Sequence, residues 1–454
     1  MRPVPVAATL LVFTILMAYY MTPASYLSNY REPKYVDGGT VWWVLYLTVA
    51  LCIPALIVAA ERFGSQPWRS WDFSPAENRT LRRIVIVFFI LTMAGYLIWF
   101  IHAAHNGFHF SAVSKMLSGT SSQGSTNKSQ ITTISGVTSM TQFGIPLVII
   151  GCLTWPSASR DVRIMTGIVV AIGLYRALAG SERLAIYELA VPVLIIFAAR
   201  FYTAPIADPL RRRRRRAAIR VMPFVLLPLL ILSFAGFEYT RSWSYYRHHT
   251  TDNFLVYETK RLGGYYSTTY NNVQMMRDFS VWPQPGAVPF ITVFGVWNFP
   301  LFRNVVRYDK LTGANFFNSF NNGLTRYANP EFNNFGGITN ATFDYGWLGG
   351  AIYTALFGAL IGASYASFAQ RRRPGLLFYP MVMVGLLELP REGYLTSPRA
   401  APALAGALVA AMALRRVRHH EERRAQRSDP STKQIGFKPA QPAARPIGPP
   451  PVAT

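Results

Sequence analysis

The chain has 454 residues, of which 51% are hydrophobic and only 15% are charged. Its apolar residues are concentrated in runs of about 20, the length that crosses the hydrocarbon core of a bilayer, and this excludes an ordinary soluble domain. The net charge of +24 does not indicate a nucleic-acid partner, because the basic clusters lie directly beside apolar runs. In such places Lys and Arg determine topology and contact anionic lipid headgroups.

The apolar runs predict about ten transmembrane helices. The first run is compatible with a cleaved signal peptide that ends near Ala24 and Ser25 or with a first spanning helix. We favour the helix, because the run is long for a signal peptide and has no clear cleavage site of small residues. The predicted spans are Val4–Met21, Val41–Ala60, Ile84–Ala104, Met140–Trp155, Ile164–Ala179, Leu184–Phe201, Val221–Phe237, Ala341–Ala369, Leu376–Leu389 and Ala400–Leu414.

A cytoplasmic N-terminus places every strong basic cluster on the cytoplasmic side, as the positive-inside rule requires. The predicted fold is therefore an all-α polytopic membrane protein with both termini in the cytoplasm and one large outer loop between helices 7 and 8. Four regions follow: helices 1–7 in 1–238, the large outer loop in 239–340, helices 8–10 in 341–414, and a disordered basic tail in 415–454.

The large outer loop combines many arginines with many aromatic residues, and we interpret it as a binding and reaction platform on the membrane surface. The two cysteines, Cys52 and Cys152, lie inside apolar runs. Their positions argue against a disulfide framework and against a cysteine metal site.

Arginines in short outer turns oppose the local charge rule and need a partner. Arg183 lies in such a turn after Gly180, and Arg391 and Arg399 lie in the last outer connection. One explanation is an ion pair with a neighbouring carboxylate; the other is a bound anion, because charges at a membrane boundary are candidates for function. The candidate carboxylates are Glu182, Glu188, Glu388 and Glu392.

The junction from the outer loop into the eighth span, residues 331–350, is the most distinctive part of the sequence: EFNNFGGITNATFDYGWLGG. Its glycines are compatible with close helix packing. Asp344 at the helix start is compatible with an N-terminal cap.

Several of these features together resemble the O-antigen polymerase family, which is related to the O-antigen ligases and other transferases of the second GT-C type. They are the Gly-Ser-x-Arg turn before a mid-chain span, the large outer loop, the Asn/Thr-rich approach to the Phe-Asp-Tyr-Gly helix start, and the arginine in the last outer turn. The resemblance covers residues 160–400.

The resemblance implies a glycosyltransferase of the bacterial inner membrane. Such an enzyme transfers a glycan from a polyprenyl diphosphate carrier to a sugar hydroxyl of a second lipid-linked glycan on the outer side. Its expected partners are the donor and acceptor glycans, membrane lipids and a chain-length regulator protein. The predicted substrate-binding residues are Arg183, Arg391, Arg241, Arg326, Arg399, Glu182 and Tyr345.

The acceptor hydroxyl needs a general base within hydrogen-bonding reach. Glu392 is the first candidate, followed by His248 and Asp344. No cofactor is expected, and the transfer is expected to be independent of metal, because the acids of the first outer loop, Glu32 and Asp37, are not closely paired as in the metal-dependent GT-C enzymes.

Three other functions remain open at this point. A ligase that joins the glycan to another acceptor would need the same diphosphate-binding arginines. A transporter or flippase would be expected to contain repeats and charges near the middle of the membrane, and the sequence shows no repeat. A scaffold subunit without chemistry would tolerate the loss of the outer arginines.

Overall fold

The computed structural model describes residues 2–64, 70–109, 130–132, 136–180, 182–203, 234–243, 246–281, 291–293 and 316–428, with isolated positions between these ranges. Within these ranges the protein is built of helices and contains no β-strand. The α-helices, numbered in chain order, are α1 Pro3–Tyr20, α2 Pro23–Tyr30, α3 Gly38–Gly64, α4 Pro75–His105, α5 Gly144–Thr154, α6 Arg160–Ala179, α7 Arg183–Thr203, α8 Phe254–Asp278, α9 Phe316–Tyr327, α10 Asn340–Ala369, α11 Arg373–Glu388 and α12 Ala401–Ser428.

Six of the described helices are long and apolar enough to cross a membrane: α1, α3, α4, α6, α7 and α10. Each coincides with a predicted span, so the chain is an all-α, multi-pass membrane protein. Three other predicted spans correspond to helices that do not reach this length and composition. The run at 140–155 forms a short 3₁₀ turn followed by α5, α11 has 16 residues, and α12 passes directly from apolar residues into Arg415 and Arg416.

The structure leaves the seventh predicted span mostly untested and shows a longer last helix than the sequence predicted. The predicted span 221–237 lies mostly outside the described residues. The basic tail was expected to be disordered from residue 415, but α12 continues to Ser428. This segment is rich in Arg, Glu and Ala, which are good helix formers, and Arg418 pairs with Glu422 at 3.0 Å one turn later. The rest of the tail, 429–454, is outside the described residues.

Glycines bring α10 into close contact with α3. A Cβ atom at Gly358 would lie 2.0 Å from the carbonyl oxygen of Leu51, and one at Gly362 would lie 2.3 Å from that of Ala55. Small residues allow this kind of backbone approach between membrane helices. Gly346 has a φ of 72° and interrupts α10 near its start, which separates the first turns of the helix from its apolar length.

The outer insertion contains α8, a helix that sequence analysis did not predict. Its second half is buried although it is polar: Ser267, Thr268, Thr269, Asn271 and Asn272 are all fully buried. The hydroxyls donate to carbonyl oxygens one turn earlier in the helix. Each of these buried hydroxyls thereby obtains a hydrogen bond.

The asparagines of α8 connect the insertion to the N-terminal part of the chain. The Asn271 side-chain oxygen accepts from the backbone of Tyr35, and its amide donates to Glu32. The Tyr270 hydroxyl lies 3.0 Å from that of Thr14 in α1. Consequently α8 packs beside the first apolar helix.

The paired glycines of the junction place it against the last outer connection. The Gly336 amide donates to the carbonyl oxygen of Arg391 at 3.1 Å. A Cβ atom at Gly337 would lie only 2.4 Å from the carbonyl carbon of Glu392, so no larger residue fits without a shift. These contacts fix the position of Arg391 relative to α10.

Candidate functional site

Three arginines from different parts of the chain surround the ring of Tyr265. The guanidinium carbon lies 4.3 Å from the ring centroid for Arg183, 5.5 Å for Arg391 and 5.6 Å for Arg261. Arg183 begins α7, Arg391 follows α11, and Arg261 precedes Tyr265 by one turn of α8. We call these four residues, with Glu238, the Tyr265 cluster.

The cluster is largely removed from solvent. The side chains of Arg183 and Arg261 are 13% and 8% exposed, and Glu238 is fully buried. Aromatic faces attract guanidinium groups, and this attraction strengthens when water is excluded. Tyr265 therefore holds three positive charges in one place at the ends of apolar helices.

Carboxylates partly balance these charges. Glu238 lies 3.3 Å from Arg183 and 3.4 Å from Arg261. Arg261 also pairs with Glu331 at 2.7 Å, and Arg391 pairs with Glu388 at 2.6 Å. The ion pair of Arg391 with Glu388 is one of the partners considered from sequence, whereas Glu238 and Glu331 are new.

The ion pairs of the cluster leave hydrogen-bonding capacity unused. Among the described residues, Nη1 of Arg183, Nε of Arg261 and Nε of Arg391 have no hydrogen-bond partner, and neither has either carboxylate oxygen of Glu238. Unpaired buried polar atoms are rare and need an explanation. N–H groups of this kind are suited to bind a ligand with several anionic oxygens.

A further carboxylate, Glu258, lies one turn before Arg261 in α8. It is 3% exposed, and within the described part of the chain neither of its oxygens has a hydrogen-bond partner. Burial, and then the charge of Glu238, raises its pKa to about 7. Burial, and then Glu388, also raises the pKa of Glu392. Glu258 can therefore exchange a proton near neutral pH.

Arg399 belongs to a second ionic group that we call the Glu188 network: Glu188, Arg399, Tyr394, Glu182 and Arg176. Arg399 makes a two-pronged contact with Glu188 at 2.7 and 2.8 Å, and Tyr394 donates to the same carboxylate at 2.9 Å. Glu182 lies 3.3 Å from Arg399 and 3.1 Å from Arg176. The network connects α6, α7 and the last outer connection.

The other predicted site residues lie in different surroundings. Asp344 accepts three hydrogen bonds from Ile291 and Thr292, at 2.6 to 3.1 Å, so it anchors that segment. The Tyr345 hydroxyl lies 2.8 Å from that of Thr292. His248 is exposed and accepts from Arg247 at 3.0 Å.

Two predicted arginines stand apart from Tyr265. Arg326 is exposed in α9 and stacks on Tyr327 at 5.2 Å. Arg241 lies in the short helical turn Tyr239–Trp243, and its side chain is outside the described part of the structure. Of the predicted arginines with described side chains, Arg183 and Arg391 are the two that meet at Tyr265.

Sequence reasoning did not select Arg261, Tyr265, Glu238 or Glu258 as site residues. A helical interpretation of 254–278 could have found three of them, because positions three and four apart share one helix face. Glu258, Arg261 and Tyr265 have this spacing. Nothing in the sequence connects Glu238 with Arg183.

Within the described ranges no three His, Cys, Asp or Glu side chains are grouped as metal ligands would be. Comparisons of the chain with protein-family models, with curated proteins and with solved structures find no match. The interpretation of the site therefore depends on its own geometry.

Proposed function

We propose that this protein is a glycosyltransferase that polymerises polyprenyl-diphosphate-linked oligosaccharides into a cell-surface polysaccharide on the outer side of the membrane. This is the activity implied by its resemblance to the O-antigen polymerase family. The supporting observation is the Tyr265 cluster, in which three guanidinium groups converge and, among the described residues, one buried nitrogen of each has no hydrogen-bond partner.

A departing diphosphate is the ligand that such a group suits best. During transfer the acceptor hydroxyl attacks the anomeric carbon of the donor sugar, and the bond from that carbon to the phosphate oxygen breaks. The electron pair stays on the diphosphate, whose negative charge grows. Positioned guanidinium groups in a site of low dielectric stabilise this charge much more than water-exposed ones do.

The proton of the acceptor hydroxyl needs a base with a pKa near the working pH. Glu392 was the first candidate from sequence, and burial raises its pKa. Glu258 joins it, because its pKa of about 7 leaves it partly ionised at neutral pH. His248 and Asp344 have less favourable surroundings, since His248 is exposed and Asp344 already accepts three hydrogen bonds.

The proposal includes the arrangement of the chain in the membrane. It has about ten spans, a number supported by six described helices that are long and apolar enough to cross a membrane, and both termini lie in the cytoplasm of a bacterial cell. The outer leaflet then holds the Tyr265 cluster. The partners are the lipid-linked donor and acceptor, membrane lipids and a chain-length regulator.

The test is polymer synthesis by the purified protein in liposomes that contain its lipid-linked repeat units. Arg183→Ala and Arg391→Ala are each expected to lower turnover by about 100-fold or more, the usual effect of removing one donor that stabilises developing charge. Arg277→Ala is the matched control, because Arg277 is an exposed arginine at the end of α8.

Three results would contradict the proposal. Failure of the purified wild-type protein to form any glycosidic bond would support a scaffold role. Movement of lipid-linked units across the bilayer without a new glycosidic bond would indicate a transporter. A product attached to a carrier-free acceptor, with no polymer, would indicate a ligase.

A further inference from the structure

A polar pocket of about 140 Å³ lies beside the Tyr265 cluster. It is lined by three segments of the outer side, within 28–31, 246–261 and 329–332. The pocket is compact, which suits one sugar ring better than a longer glycan.

The lining of this pocket combines aromatic rings with hydrogen-bonding groups. Tyr246 and Tyr257 pack with ring centroids 5.2 Å apart, and Tyr30 packs against Phe332 at 5.5 Å. Tyr30, Tyr257 and Phe332 are buried and form the wall behind the pocket, whereas Tyr246 is half-buried and presents a ring with an apolar face and a polar hydroxyl. A sugar ring has the same two properties, apolar C–H faces and a rim of hydroxyls.

Glu331 is held in place as a hydrogen-bond acceptor in the pocket. Tyr246 donates to one of its oxygens at 2.5 Å, and Arg261 donates to the other at 2.7 Å. Burial alone would favour the neutral acid, but Arg261 and Tyr246 lower the pKa of Glu331. The carboxylate is therefore ionised at neutral pH, and it can accept hydrogen bonds from hydroxyls while being a poor proton acceptor.

Arg31 is placed at the pocket by an unusual backbone conformation. It has a φ of 56° in the left-handed region, where the end of a helix usually has Gly or Asn. Its guanidinium carbon lies 5.7 Å from the Tyr246 ring centroid, and the side chain is exposed. Strained backbone of this kind is concentrated at ligand-binding positions.

Arg261 belongs to the Tyr265 cluster and also lines the pocket. Its Nη1 contacts Glu331 in the pocket at 2.7 Å, and its Nε faces Glu238 in the cluster at 3.4 Å. A sugar in the pocket and a phosphate in the cluster would lie on opposite sides of one guanidinium group. This is the arrangement that a transfer between two glycans requires.

We propose that this pocket binds the terminal sugar ring of the acceptor glycan and holds its hydroxyl toward the donor in the Tyr265 cluster. This inference rests on the proposed function and assigns the pocket to the acceptor. Arg31, Tyr246 and Glu331 are specificity-determining residues in this arrangement, whereas Arg183 and Arg391 bind the donor.

The first test measures binding of a carrier-free oligosaccharide to the full chain in nanodiscs. The probe is the repeat unit released by mild acid from the lipid-linked pool of the source cells. Arg31→Ala and Asn29→Trp, which fills the pocket, are expected to raise the Kd by about tenfold or more. Arg183→Ala and the exposed control Arg277→Ala are expected to leave it unchanged.

The second test measures turnover with a separate short-chain lipid-linked acceptor. Arg31→Ala is expected to raise KM for the acceptor by a similar factor and to leave KM for the long-chain donor unchanged. Arg183→Ala is expected to lower kcat with unaltered binding of the carrier-free oligosaccharide. If Arg31 had only a structural role, Arg31→Ala would change KM for the acceptor and KM for the donor together.

Failure of the inference and failure of the proposed function give different results. If the wild-type protein makes polymer but Arg31→Ala and Asn29→Trp bind the oligosaccharide with unchanged Kd, the pocket is not the acceptor site. If the wild-type protein makes no polymer, the proposed function fails, and any loss of binding in the variants then indicates a sugar site without an acceptor role.

Discussion

The Tyr265 cluster and the Glu188 network contain the same kinds of residue but use them differently. In the Glu188 network, Arg399 and Glu188 meet through two contacts of 2.7 and 2.8 Å. Within the described part of the chain every buried polar side-chain atom of this pair has a partner, and Nε of Arg176 is the one buried atom of the network without a hydrogen bond. In the Tyr265 cluster, Glu238 lies 3.3 and 3.4 Å from its arginines and makes no hydrogen bond with either oxygen.

The difference indicates two roles for buried arginines at one membrane boundary. A charge pair with full hydrogen bonding stabilises a single arrangement of helices, and breaking it is expensive. A pair with long contacts and unused N–H groups gives less stability and retains the capacity to bind an anion. The contacts of Arg399 with Glu188 therefore favour a structural role for Arg399, which sequence analysis placed among the substrate-binding residues, whereas the proposed function uses Arg183 and Arg391 for binding.

The largest expected effect comes from breaking the Glu188 network. Glu188→Ala should lower the free energy of unfolding by about 3–5 kcal/mol, because it removes the carboxylate that forms a bidentate ion pair with Arg399. Equilibrium unfolding in mixed detergent micelles measures this. In the matched comparison, Glu188→Gln should be more destabilising than Glu238→Gln, and the opposite order would refute the difference between the two regions.

The second effect is a pH dependence of stability that arises from Glu258, beside the Tyr265 cluster. The pKa of Glu258 rises from the usual 4.5 to about 7 in the folded protein. The folded state therefore holds the proton more tightly, so this stabilisation is complete below pH 4.5 and is lost as the pH rises through 7. The free energy of unfolding of the wild-type protein should fall across this window relative to that of Glu258→Gln. Parallel curves for the two proteins would show that Glu258 does not titrate there.

The third effect concerns Gly337, which lies against Glu392. Glu392 belongs to the segment that carries both Arg391 of the Tyr265 cluster and Arg399 of the Glu188 network. Gly337→Ala should cost about 1–3 kcal/mol, because the new methyl group would overlap the carbonyl carbon of Glu392. It should also reduce polymer synthesis, since the displaced segment carries Arg391. Gly167→Ala in α6 is the control, because no atom lies within 4 Å of the corresponding position. Equal stability of the two variants would mean that the segment adjusts freely.

The apolar helices could be predicted from sequence because their signal is local. Runs such as 84–104 and 164–179 are continuous, and the structure has α4 and α6 over them. The same reasoning identified Arg183 and Arg391, since a charge in a short outer turn stands out against the rule for topology. The glycines of α10 were likewise compatible with the close helix packing that the structure contains.

The polar helix α8 could not be predicted in this way. Its second half, with Ser267, Asn271 and Asn272, has no apolar stripe and resembles loop sequence. The helix is stable in the protein because groups that are distant in sequence form hydrogen bonds with its polar side chains. Glu32 and the backbone of Tyr35, for example, both bind the side chain of Asn271. The ion pair of Arg183 with Glu238 also joins parts of the chain that are remote in sequence, so pattern and spacing give no sign of it.

The smallest expected effect isolates the ring that organises the Tyr265 cluster. Tyr265→Leu should lower the free energy of unfolding by about 1–2 kcal/mol, because it removes the aromatic face from three guanidinium groups. It should also weaken binding of inorganic pyrophosphate, measured by calorimetry, since the arginines lose their common support. Tyr265→Phe keeps the ring and should retain most of this affinity. Tyr394→Phe, the equivalent change in the Glu188 network, should leave pyrophosphate binding unaltered, and a loss of affinity there would mean that the two regions act as one site.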